Sequence, residues 1–226
     1  MNEPTDREFA QELKTLKERL STMAARAAEQ IALAMESLTT QNDALAHQVI
    51  DADQLIDSDE NEIDKLAMHI LMTRHPVASD LRFVTMALKI VVDVERMGDL
   101  AAGIAKRALE LNRLSTLDWR GDLTRLATLV QKNLHLAIES FVRGNLDEAN
   151  AVIRADVEID SLNASLFAEL IANVAADPAT VTRVLPLTSV SRYLERIGDH
   201  VKNLAEEVIF MVSAADVRHR GPIAAN

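Results

Sequence analysis

Apolar residues return every three to four positions along almost the whole chain, the spacing that lines one face of an α-helix. Followed from end to end, the pattern predicts six helices, over residues 6–40, 43–74, 79–112, 122–143, 146–175 and 179–213. Each interruption has a local cause. "TTQND" and "RGNLDE" supply polar and glycine stops, and "RHPVASD" and "ADPAT" each hold a proline that disfavours helix in the residue before it. The longer "NRLSTLDWRGD" separates two halves of three helices each, 1–115 and 116–226. The tail, "RHRGPIAAN", reads as frayed.

Composition supports the pattern. With 226 residues and 48% hydrophobic content the chain buries a sizeable core, and six glycines and five prolines are too few for a turn-rich β-protein. The expected class is all-α, as two tandem antiparallel three-helix bundles. There is no cysteine, so disulfides and thiolate metal sites are excluded. No stretch approaches the roughly 20 apolar residues of a membrane span, and "MNEPTDREFA" lacks a signal peptide's basic flank and apolar core. A cytoplasmic protein is expected. A formal charge of -11 opposes nucleic-acid binding and points to cations or proteins as partners.

The two halves repeat each other. Asn42, Val49, Ile50, Ala52, Asp53, Ile56, Asp57 and Ser58 recur 103 residues on, as Asn145, Val152, Ile153, Ala155, Asp156, Ile159, Asp160 and Ser161. Glu95, Arg96, Gly98 and Asp99 recur 100 residues on, as Glu195, Arg196, Gly198 and Asp199. The slip in offset matches a change of loop length near the proline turns, so the unit of duplication is a three-helix bundle.

Acidic residues four apart are common at this acid content, and a single pair reads as a solvated helix face. The repeat-related pairs differ in their placement. Asp53 mirrors Asp99, and Asp57 mirrors Glu95, about Pro76; Asp156 mirrors Asp199, and Asp160 mirrors Glu195, about the junction of Asp177 and Pro178. In an antiparallel hairpin, mirrored positions lie at one level. Residues four apart share a face about 6 Å apart along the axis, and packed axes are about 8–10 Å apart, so each half should bring four carboxylates to one small volume. Each such pair repels by about 4 kcal/mol at about 4 Å and an effective dielectric near 20, which requires a positive partner. Arg96 and Arg196 follow the glutamates but point about 100° away, so neither is expected to face the cluster. A bound cation is expected instead.

Gly98 and Gly198 stand inside predicted helices, where glycine costs about 1 kcal/mol relative to alanine. Either tight helix packing or close approach to an ion cluster would compensate. Val84, Leu88, Val91 and Val92 share a stripe with Glu95 and Asp99, whereas the matching stripe of the second half contains Thr188 and Ser191 and is more polar. Asp53 and Asp57 fall at the edge of an apolar stripe, so the site should lie near the surface.

The duplicated D-x-x-x-D and E-R-[MI]-G-D elements, with "NLAEE" after Val201, resemble those of the PhoU family, accessory and regulatory proteins of phosphate transport in bacteria and archaea. The resemblance covers nearly the whole chain. It implies multinuclear metal centres, held by Asp53, Asp57, Glu95 and Asp99 in the first bundle and by Asp156, Asp160, Glu195 and Asp199 in the second. It also implies negative regulation of the phosphate-starvation response, exerted at the ATPase subunit of the high-affinity phosphate ABC transporter and at a sensor histidine kinase. A homodimer that meets the membrane only through those partners is implied as well. In the family pattern a residue such as Asn203 follows Asp199 by four; the first half has Gly103 there, so the two centres are expected to differ.

An all-carboxylate shell suits divalent or trivalent hard and borderline ions: Mg²⁺, Mn²⁺, iron or zinc. His200 adjoins Asp199 and is expected to be solvent-facing or hydrogen-bonded rather than a ligand; His47, His69, His75, His135 and His219 share no spacing and are given no role. Two other classes fit the sequence less well. A di-metal carboxylate enzyme normally carries E-x-x-H on two helices, and no histidine here has Glu three residues before it. A metal-free structural bundle would explain the repeat but not the mirrored acids. No catalytic serine motif is present, so the chain is expected not to be an enzyme.

Overall fold

The computed structural model describes residues 3–114 and 120–217. Six helices run through them: α1 (Glu3–Thr39), α2 (Asp43–Arg74), α3 (Ala78–Leu111), α4 (Arg120–Arg143), α5 (Leu146–Ala176) and α6 (Val181–Ser213). The expected helices are all found. A short 3-10 turn, Pro178–Thr180, takes the place of the first residues expected for α6. The tail from 218, His219 and the junction of the two halves at 115–116 lie outside the described residues.

The repeat is visible at the helix starts. Asn42 caps α2 by accepting from the backbone N–H groups of Ala44 and Leu45, and Asn145 caps α5 in the same way, from Asp147 and Glu148. The chain reverses after α2 through His75, in the left-handed region at φ 48°, and Pro76. Gly144, at φ 66°, closes α4, a conformation that a residue without Cβ adopts freely. Asp177 then opens the 3-10 turn by accepting from the N–H of Ala179.

Each half is an antiparallel three-helix bundle, α1–α3 and α4–α6. The halves join mainly along α3 and α6, with α1 against α4, so the two most buried helices of the molecule lie back to back. One continuous apolar core results. Val84, Ile90, Val94, Met97 and Ile104 of α3 share it with Val190, Leu194, Ile197, Val201 and Leu204 of α6. Val92 departs from the expected stripe: it is exposed, because the α3 face that carries Glu95 and Asp99 looks outward. Among the described residues, no helix is long and apolar enough to cross a membrane.

The seam between α3 and α6 uses the repeat unequally. Asp93 Oδ1 lies 2.7 Å from His200 Nδ1 and accepts from Asn203 Nδ2 at 3.2 Å. At the related contact, a Cβ on Gly103 would stand 3.1 Å from the ring of Tyr193. The absent side chain on α3 therefore makes room for an aromatic ring of α6. His200 is the expected hydrogen-bonding histidine, and Asn203 is turned to Asp93 on the neighbouring helix.

Candidate metal centres

The close approach of α2 to α3 depends on Gly98. A Cβ there would lie 2.8 Å from Ile56 Cδ1 and 3.3 Å from Asp53 Oδ1. At Gly198 the same atom would be 3.1 Å from Ile159 Cγ2 and 3.9 Å from Asp156 Oδ1. Tight helix packing thus accounts for both glycines: the missing side chain admits an isoleucine of the facing helix, with an aspartate of that helix close by.

In the second bundle, carboxylate oxygens of Asp156, Asp160 and Asp199 lie within 4.8 Å of one another. Asp156 is 3% exposed, whereas Asp160 and Asp199 open to solvent. Glu195, one turn before Asp199 and half-buried, stands outside this trio but is electrostatically coupled to it. Burial, then the charges of Asp199 and Asp160, push the Glu195 carboxyl above its ordinary range. Asp199 is raised by burial and by Asp156 and Asp160, and Asp160 by burial and by Asp156.

A cation already sits against this trio. Lys202 Nζ donates to Asp156 Oδ2 at 2.6 Å, and that hydrogen bond holds the ammonium protonated. Sequence reading missed Lys202, although its place three residues after Asp199 was a usable signal. Its counterpart in the first half is Ala102. The other oxygen of Asp156, Oδ1, is buried without a hydrogen-bond partner.

In the first bundle Asp57 and Asp99 act electrostatically on both Asp53 and Glu95, but among the described residues the first-bundle acids form no trio as close as that of the second. Burial, then Asp99 and Asp57, raise the pKa of Asp53; burial, then Asp99, raise that of Glu95, with Glu60 and Asp57 adding to it. Glu60, also missed from the sequence, is raised by burial, Asp64 and Asp57. The expectation for Arg96 is corrected. Its Nε lies 3.4 Å from Glu95 Oε2 and its Nη1 3.3 Å from Asp99 Oδ2. A guanidinium on a flexible stem swings back over a face that its Cβ does not share. Arg196 forms no such pair among the described residues, but its charge reaches Glu195.

The donor set fits a hard cation. Both sets are built from carboxylates, burial and neighbouring acids raise the pKa values of Asp53 and Glu95 in the first and of Asp160, Glu195 and Asp199 in the second, and the unpartnered Oδ1 of Asp156 is an acceptor of the kind a cation satisfies. Asp53, Asp57, Glu95 and Asp99 would hold ions in the first bundle. Asp156, Asp160, Glu195 and Asp199 would hold them in the second. Bound ions would supply positive charge that cancels the repulsion and ties each helix pair together.

Comparison with known proteins agrees with the duplication. The family model described as PhoU domain matches residues 20–108 and again 123–208. The phosphate-specific transport system accessory protein PhoU homolog of Pseudomonas aeruginosa is 36% identical over 216 residues, 95% of this chain and 89% of that one. The accessory protein PhoU of Escherichia coli is 30% identical over 221 residues, 98% of this chain and 92% of that one. The crystal structure of PhoU from Pseudomonas aeruginosa superposes with a TM-score of 0.89 at 34% identity, covering 92% of this chain and all of that one. That of the PhoU regulatory protein from Streptococcus pneumoniae gives 0.85 at 26% identity, covering 92% and 99%. Matched by the family model in both halves and aligned with these relatives over nearly its whole length, the chain belongs to the PhoU family of phosphate-transport accessory proteins.

Proposed function

We propose that this protein is a metal-binding adaptor that represses the phosphate-starvation response. The observation that carries the reading is the convergence of Asp156 and Asp160 of α5 with Asp199 of α6, with a buried acceptor left over at Asp156. Ions held by Asp53, Asp57, Glu95 and Asp99, and by Asp156, Asp160, Glu195 and Asp199, fix the helix pairs in the shape that partners recognise. The partners are the ATPase subunit of the phosphate ABC transporter and a sensor histidine kinase, met in the cytoplasm by a homodimer. Membership of a phosphate-transport accessory family supports the process; the partners rest on the family resemblance.

A second reading, a structural bundle without metal, draws support from Lys202, which already neutralises part of the second cluster. One experiment separates the two. A deletion strain carrying a phosphate-starvation reporter is complemented with wild type or with Asp57→Asn/Glu95→Gln, and metal is measured in both purified proteins. Derepression in the deletion strain, repression restored by wild type only, and metal lowered but not abolished in the variant support the adaptor. A reporter that stays repressed in the deletion strain overturns the regulatory role, and wild-type protein without metal supports the structural reading.

A further inference from the structure

A cleft of about 640 Å³ opens in the second bundle between α5 and α6, lined by Glu195 and Asp199 together with Arg192, Arg196, Asn163 and Phe167. Arg192 and Arg196 stand one turn apart on one face of α6. Neither forms an ion pair or hydrogen bond among the described residues, although the charges of both act on Glu195. Arg96 in the first bundle is instead spent on Glu95 and Asp99.

The repeat shows how differently the two surroundings are built. The counterpart of Arg192 is Val92, that of Asn163 is Glu60, and that of Phe167 is Asp64. At these three positions the first centre carries an apolar residue and two further acids, and its nearby guanidinium, Arg96, is already paired with Glu95 and Asp99. The second meets two guanidiniums and an amide. The hydroxyl of Ser191 donates to Asn163 Oδ1 at 2.5 Å, and among the described residues the Asn163 nitrogen has no hydrogen-bond acceptor.

We propose that this cleft binds inorganic phosphate. Two guanidinium forks match the spacing of oxygens on a tetrahedral anion and favour phosphate over a spherical ion. The nearby carboxylates would repel phosphate on their own. Ions bound by Asp156, Asp160, Glu195 and Asp199 reverse that field, and hard cations take phosphate oxygens as readily as carboxylate oxygens. The site thus rests on the metal-centre reading of the second bundle and gives the adaptor a direct means of responding to phosphate.

The test is equilibrium dialysis of Mn²⁺-loaded full-length protein against radiolabelled inorganic phosphate, with metal content measured in the same samples. Wild type, Arg192→Gln/Arg196→Gln and Asn163→Leu are compared. The expected result is saturable binding by wild type, weakened at least about tenfold in the double arginine variant, because its charge-assisted hydrogen bonds to the anion are lost. Metal content should not change, since neither arginine is a ligand. Metal-bearing wild type that takes up no phosphate overturns the proposal and leaves the metal reading intact. Wild type with neither metal nor phosphate overturns both. Phosphate binding unchanged in the double variant overturns the site assignment.

Discussion

Asp156, one of the three converging acids of the second bundle, forms a 2.6 Å ion pair with Lys202, where the first bundle has Ala102 as the counterpart of the lysine. The ammonium meets the most buried acid of the set and leaves the more exposed Asp160 and Asp199 to other cations. Two copies of one ancestral bundle have thus been given different internal charge.

Lys202→Met should separate the two ways of neutralising this cluster. In chelator the variant should lose roughly 1–2 kcal/mol, because Asp156 stays buried while its partner disappears. With Mn²⁺ present the loss should shrink, since the ion can take over the vacated oxygen. Thermal unfolding of wild type and variant, with chelator and with excess Mn²⁺, measures both effects. An equal loss in both conditions would mean that no ion reaches Asp156.

The two centres should load independently. Asp57→Asn with Glu95→Gln is expected to remove ions from the first centre only, and Asp160→Asn with Glu195→Gln from the second only, because each set is confined to one helix pair. Elemental analysis of the two half-variants gives the stoichiometry. Loss of all metal from either one would show a centre shared between bundles or between subunits.

Stability should depend on pH in opposite senses with and without metal. Asp53, Glu95, Asp160, Glu195 and Asp199 all have raised pKa values, with burial as the first cause and neighbouring acids next. For a raised group the stabilisation is complete below its unfolded pKa and is lost as pH rises through the folded one. In chelator, therefore, these groups should make the protein more stable as pH falls from neutral toward the ordinary carboxylate values of 3.8 and 4.5. Glu12 acts the other way: its hydrogen bond from Arg74 lowers its pKa, so its contribution fades as pH falls through that lowered value. Metal reverses the main trend, because ions bind the deprotonated clusters and gain affinity as pH rises. Melting temperatures across this window should show a slope that changes sign on adding Mn²⁺ and that flattens, in chelator, for Glu95→Gln/Asp199→Asn.

Gly98→Ala should destabilise despite the helix propensity gained, which is worth about 1 kcal/mol. The new methyl would stand 2.8 Å from Ile56 Cδ1, in a core position where Ile56 is fully buried. A net loss on the order of 1 kcal/mol is expected from forcing that side chain aside. Ile56→Val deletes the clashing atom, so the double variant should be more stable than Gly98→Ala alone. Chemical denaturation of the three variants tests this, and a stabilised Gly98→Ala would show that α2 and α3 can separate freely.

Sequence alone determined the elements and the repeat. Pro76, Gly144 and Pro178 act through local backbone rules, and a period near 3.6 is the direct imprint of a buried helix face, so both can be read without knowing any partner. The mirrored placement of Asp53, Asp57, Glu95 and Asp99, and of their second-half counterparts, could be read for the same reason: an antiparallel hairpin fixes levels by counting from its turn. Tertiary structure decided what neutralises and surrounds those acids. Lys202 reaches Asp156 on another helix, Arg96 folds back over Glu95 and Asp99, and Asp93 finds His200 and Asn203 across the seam. Long side chains choose partners by distance in space, and the seam of α3 against α6 is set by burial of both bundles in one core. No single helix carries that information in its own periodicity.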